Sequence, residues 1–64
     1  MTLKKLREAK GLSRKELADL VGVTEMSIWN YENGKTKPDR YNIITRLAEV
    51  LEIELKILVA MLDI

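Results

Sequence analysis

Apolar residues recur along this 64-residue chain at helical spacing, in short blocks that end in turn-forming residues. Leu3 and Leu6 are followed by Gly11. Leu17, Ala18, Leu20 and Val21 are followed by Gly22, and Ile28 and Tyr31 by Gly34. Glycine just past a helix supplies the left-handed conformation that ends it. The predicted starts agree. Ser13 with Glu16 three residues on reads as a capping box. Thr24 suits the cap of a third helix, and Asp39 that of a fourth, with Pro38 before it. Ile43, Ile44, Leu47, Ala48 and Leu51 continue the period through a helix from about Arg40 to Leu51. A fifth runs from about Glu54 to Leu62. Its start lacks a good capping side chain, though Glu52 and Glu54 suit the positive end of its dipole. The pattern therefore predicts five short helices and no strands. The longest irregular stretch is about 34–38.

Composition narrows the picture. The length allows a single domain, 1–64, with a modest core. The apolar share is 47%, with no Phe, which suits an aliphatic all-α core. Neither Cys nor His is present, so a disulfide framework and the usual zinc ligands are excluded, and no cofactor is expected. No nucleophile–base pair or phosphate loop is visible, so an enzyme is not expected. The polar N-terminus and the lack of a long apolar run point to a cytoplasmic protein without a signal peptide or membrane span. The initial Met suggests a complete small protein.

Net charge is only +1, but its distribution is uneven. Residues 1–46 carry ten Lys/Arg against six Asp/Glu, whereas residues 47–64 carry one against four. Such asymmetry points to a nucleic-acid face and a separate second face; ordinary solvated helix surfaces are the bland alternative.

Gly22 and Val23 alone separate the second helical pattern from the cap of the third. Two amphipathic helices joined so tightly cross steeply, as in a helix-turn-helix, here spanning about 13–33. Ala18 is small where the helices approach, and Leu17, Val21, Ile28 and Tyr31 close the core between them. A two-residue turn leaves the outer face of the third helix free, and the major groove, about 12 Å wide, admits one helix.

The run LREAKGLSRKELADLVGVTEMSIWNYENGK resembles the Cro/C1-type (XRE-like) helix-turn-helix family of phage and bacterial repressors. "GLSRKELA", "VGVT", "SIWNYENGK" and the later "LAEVLEI" occur in the family's order and spacing, and the resemblance covers nearly the whole chain. It implies a compact five-helix, lambda-repressor-like domain whose third helix enters the major groove. It further implies a homodimer on a two-fold-symmetric operator, with half-sites roughly 34 Å apart.

Glu25, Met26, Trp29 and Asn30 lie away from Ile28 and Tyr31, at positions that in the family touch base edges. Asn30 has the donor and acceptor that adenine requires; a solvated polar residue is the alternative. Met26 suits a thymine methyl or a helix–helix contact. Trp29 suits DNA or a cover for the fourth helix. Glu25 is an acid facing a polyanion, and it departs from the family, many of whose members carry Gln or Ser nearby. Two readings stand: stabilisation of the helix start, or acceptance of a hydrogen bond from cytosine N4. The charge would also repel a misplaced phosphate.

Phosphate contacts are expected on both flanks of this helix. Arg14 and Lys15 open the second helix, whose amides suit an anion. Thr24, a cap, and Ser27 offer hydroxyls. Asn33, Lys35, Lys37 and Arg40 follow the third helix, where the family places phosphate contacts. Such contacts give salt-dependent affinity without reading sequence. The motif match also implies an ion pair between Arg7 and Glu32 that fixes the angle of the third helix.

The tail KILVAMLDI has more apolar residues than one buried stripe needs. Val59, Leu62 and Ile64 are the expected surplus, and a homodimer contact the expected use; a fully intramolecular core is the other possibility. The leading function is thus a sequence-specific double-stranded DNA-binding transcriptional regulator, a repressor, with no small-molecule ligand evident. The alternative is a protein-interaction module of the same fold, such as an antitoxin component that needs a partner protein.

Overall fold

Helix starts in this chain are set by side chains that satisfy the first free amides. In the computed structural model, which describes residues 1–64, α1 spans Leu3–Ala9 and is capped by Thr2, whose Oγ1 accepts from Lys5 N at 3.2 Å. Helix α2, Arg14–Val21, begins with the reciprocal Ser13/Glu16 capping box: Glu16 N donates to Ser13 Oγ at 3.0 Å and Ser13 N to Glu16 Oε1 at 2.8 Å. Helix α3, Glu25–Glu32, is capped by Thr24, whose Oγ1 accepts from Ser27 N at 3.1 Å. Helix α4 spans Tyr41–Leu51 and α5 Leu55–Leu62. There are five helices and no strand. No helix is long and apolar enough to cross a membrane.

The turn between α2 and α3 depends on Gly22. Its φ of +87° is left-handed, and its N–H and that of Val23 both close onto Ala18 O, at 2.8 and 3.0 Å. That reversal swings α3 across α2 and leaves both packed against each other. Leu17, Ala18, Val21 and Ile28 are buried between them, while Tyr31 is half-buried at the margin. Leu3, Ile43, Leu47, Ala48, Leu51 and Leu58 complete a single core. Full burial of each large aliphatic side chain contributes roughly 1.5–3 kcal/mol.

Two expectations are corrected here, and one apolar residue is exposed. Asp39 does not cap α4. Arg40 occupies the N-cap position and no side chain bonds to the first turn. Pro38 is fully buried, and the burial of Ile43, Leu47 and Leu51 sets the helix register one residue beyond the place where Asp39 would serve. Leu20 is 45% exposed. It stands at the edge of the Leu17–Ala18–Val21 stripe, and its carbonyl instead accepts from Arg46 Nε of α4 at 3.0 Å. Finally, Leu62 packs against the core along with Leu55 and Met61. The outward residues of α5 are Ile57 and Ala60, joined by Met1; Ile64 is exposed just past the helix end, and Val59 is half-buried.

Candidate nucleic-acid interface

The outer face of α3 follows from helical geometry. At about 3.6 residues per turn, Met26 and Asn30 stand opposite the buried Ile28. Glu25 and Trp29 flank them on one side, Ser27 and Tyr31 on the other. Met26 is 64% and Trp29 39% exposed. Two large apolar side chains thus reach solvent on a helix whose inner face is already filled, and neither belongs to the core. Glu25, Met26 and Trp29 line an open hollow together with Arg14. Asn30 is half-buried, and its side-chain amide makes none of the hydrogen bonds recorded for α3.

What aims this face is a three-residue ion cluster. Arg7 Nε lies 2.6 Å from Glu32 Oε2, with the two side chains only 8% and 2% exposed. Arg7 Nη1 also donates to Leu12 O at 2.7 Å. Arg14 Nε takes the other carboxylate oxygen, Oε1, at 2.9 Å. One carboxylate at the end of α3 therefore ties α1, the following turn and the start of α2 to one point. Burial pushes the Glu32 carboxyl upward, but hydrogen bonds and charge from Arg7 and Arg14 outweigh it and hold the group below the usual carboxylate range. No buried side-chain nitrogen or oxygen is left without a partner. The second arginine was not foreseen. From the sequence Arg14 reads as a phosphate ligand alone, and its approach to Glu32 is visible only once α2 and α3 are crossed.

The expected phosphate-contacting residues separate into groups. Lys35 and Arg40 are exposed and enter no ion pair within 4 Å. Lys35 is set directly off the end of α3, because its N–H donates to Asn30 O at 2.9 Å. Lys15 meets Asp19 at 3.3 Å on the α2 surface, an exposed pair of the kind worth about 0.3–0.5 kcal/mol and readily exchanged. Lys37 is placed differently: its Nζ donates to Asp63 O at 2.8 Å, fastening the loop to the end of α5. Asn33 uses Nδ2 to close the end of α3 on Trp29 O at 2.8 Å. Thr24 and Ser27 share one hydrogen bond, Oγ1 to Oγ at 2.9 Å. Two hydroxyls sharing one bond leave one proton free to donate outward.

A second, more polar hollow lies on the other flank of α3, where Thr24, Ser27, Tyr31, Asp39 and Arg40 meet. Burial, then the charge of Asp39, raises the Tyr31 phenol above its ordinary value, so it remains a donor at neutral pH. The uncapped start of α4 adjoins it. The first-turn amides of Tyr41 and Asn42 have no acceptor in the fold, and free amides at a helix start suit an anion. Tyr41 is itself highly exposed. Neither residue was singled out from the sequence. The only signal was an aromatic next to Arg40, masked by the expectation that Asp39 would fill the cap.

An anchored helix with apolar and amide groups outward, flanked by unpaired cations and free amides, suits the edges and phosphates of a duplex. Residues 1–55 match the family described as a helix-turn-helix domain. Over 49 residues, 77% of this chain, it is 41% identical to an SPbeta prophage-derived uncharacterized HTH-type transcriptional regulator of Bacillus subtilis (strain 168). The match covers 44% of that protein, so the chain spans less than half the length of this curated relative. From the α2–Gly22–α3 geometry and the match over residues 1–55, the chain belongs to the helix-turn-helix family of the Cro/C1 (XRE-like) type.

Proposed function

We propose that this chain is a sequence-specific double-stranded DNA-binding transcriptional regulator, acting in the cytoplasm as a homodimeric repressor on a two-fold-symmetric operator. The observation that carries this reading is the outward face of α3, which Glu32 holds in place and which takes no part in the core. In the proposed complex α3 enters the major groove. Asn30 and Glu25 meet polar base edges, and Met26 and Trp29 meet apolar ones. Lys35, Arg40 and the α4 amides hold phosphates on one side. Lys15 and the remaining donors of Arg14 hold them on the other, with Thr24, Ser27 and Asn33 as neutral contacts. Lys37 joins only if it leaves Asp63. Dimerisation uses the outward residues of α5, Ile57 and Ala60, together with two residues expected from the sequence, the half-buried Val59 and the exposed Ile64 just past the helix. Linking two sites raises affinity without new base contacts.

Selection of bound duplexes from a random pool, at near-physiological salt, tests this. An enriched two-fold-symmetric sequence is expected. Salt-sensitive binding without enrichment would overturn the reading and favour a protein-interaction module with its partner on the α5 stripe. Removing phosphate contacts has its own signature. Lys35→Ala with Arg40→Ala should lower the slope of log affinity against log salt by about 1.8 per protomer, while the selected sequence stays the same. A titration series from low to moderate salt measures it; an unchanged slope would remove both residues from the phosphate contacts.

A further inference from the structure

The hollow on α3 lined by Glu25, Met26, Trp29 and Arg14 combines features that plain helix-surface chemistry does not require. Glu25 is exposed and has no ion-pair partner within 4 Å, although an arginine lines the same hollow. Arg14 is turned away onto Glu32, 2.9 Å from Oε1. The carboxylate therefore remains a free acceptor. Beside it stand Met26, one residue on, and Trp29, one turn on, both exposed and apolar. The lining thus offers one hydrogen-bond acceptor next to an apolar wall.

In the major groove each base presents a distinct edge. A carboxylate rejects the acceptors of guanine and the O4 of thymine, and accepts from the N4 amino group of cytosine. Adenine also has an amino donor, but the acceptor N7 lies beside it. On cytosine the neighbouring edge atom is C5, which is apolar and carries a methyl group when the base is 5-methylated. Thymine has the methyl but pairs it with the wrong polar atom. Of the natural edges, that of 5-methylcytosine alone sets an amino donor beside a methyl group.

Resting on the DNA-reading function above, we infer that this hollow recognises 5-methylcytosine at a fixed operator position. Glu25 accepts from N4, and Met26 and Trp29 enclose the C5 methyl. Glu25 discriminates cytosine from thymine, and the apolar pair discriminates methylated from unmethylated cytosine. Binding then responds to the methylation state of the site.

The test titrates the full chain against the selected duplex with cytosine, 5-methylcytosine or thymine at the position that changes on Glu25→Gln. Burial of one methyl group predicts about fourfold tighter binding for each methylated half-site. Thymine, with carbonyl against carboxylate, is expected to bind at least about tenfold more weakly than cytosine. Met26→Ser, at a position open to solvent, should abolish the fourfold gain while cytosine is still preferred to thymine. Glu25→Gln should restore thymine binding and leave the methyl gain in place. Equal or weaker binding of the methylated duplex, or a selected sequence with no cytosine whose readout depends on Glu25, would overturn the inference while leaving the regulator reading intact. No selected sequence at all would instead overturn both, through the earlier experiment.

Discussion

Replacing Glu32 by glutamine is expected to destabilise the fold by about 3 kcal/mol at neutral pH. The carboxylate is almost completely buried and bonds to two guanidinium groups at once, Arg7 at 2.6 Å and Arg14 at 2.9 Å. Glutamine keeps the shape and can still accept one hydrogen bond, but it leaves a buried Arg7 charge uncompensated. Breaking one partner of a buried pair costs roughly 3–5 kcal/mol, much of it the penalty of the stranded charge. A domain of this size has stability near the low end of about 5–15 kcal/mol, so the loss should be visible as a large drop in urea midpoint. Arg14→Gln should cost less, because the Arg14 side chain keeps 35% of its surface in water and Glu32 retains Arg7.

The same cluster sets a pH dependence whose sign follows from the depressed carboxyl. A group with a lowered folded pKa contributes its stability fully above its unfolded value, here 4.5, and loses it as pH falls through the folded value. The parent protein should therefore weaken progressively below about pH 4.5, and the glutamine variant much less. The gap between their unfolding free energies should be widest near neutrality and shrink in acid. Urea titrations at several pH values measure it. A gap below about 1 kcal/mol that does not change with pH would mean that the cluster does not hold the fold.

The residues that hold α3 in place differ in how far their neighbours along the chain reveal them. The Ser13/Glu16 box, Thr24 and Gly22 act within four residues of themselves, so both ends of α2 and the start of α3 are readable from order alone. Ile28 is readable too, because the inner face of α3 repeats the period of α2. Where a contact spans the fold, spacing is silent. Lys37 has the composition of a phosphate ligand, yet its ammonium is held by Asp63, 26 positions away. Arg14 reaches Glu32 across the helix crossing. The α5 sequence carries an apolar excess, but which residues turn outward depends on how Leu58 enters the core, and that assigns Leu62 inward and Ile57 outward. At α4 a good capping residue, Asp39, was overruled by burial of Pro38 and Ile43. The uncapped amides that result lie next to Arg40, so the departure from local preference falls inside the candidate interface.

Asn30→Ala is expected to weaken operator binding more than any other single change on the α3 face, without unfolding the chain. Its side chain stands beside Met26 on the side opposite Ile28 and contributes no hydrogen bond to α3 or its caps. The parts of Asn30 that the fold uses are backbone: its carbonyl accepts from Lys35 N at 2.9 Å and Thr36 N at 3.5 Å. Alanine preserves these and suits a helix interior better than asparagine. In the groove the loss is different in kind. A bidentate amide–adenine pair discriminates by about 1–3 kcal/mol per base pair, and a symmetric dimer loses it in both half-sites, about 2–6 kcal/mol in all. Nonspecific affinity and its salt slope should hardly move, since they arise from Lys35, Arg40 and the other phosphate contacts. The variant should thus bind random duplex as the parent does and lose its preference at one symmetric pair of operator positions. Titration of selected and scrambled duplexes, with a urea curve as the folding control, separates the two effects. Equal loss on both duplexes would make Asn30 a backbone-positioning residue, and no loss on either would place the reading of that base pair on Met26 and Trp29.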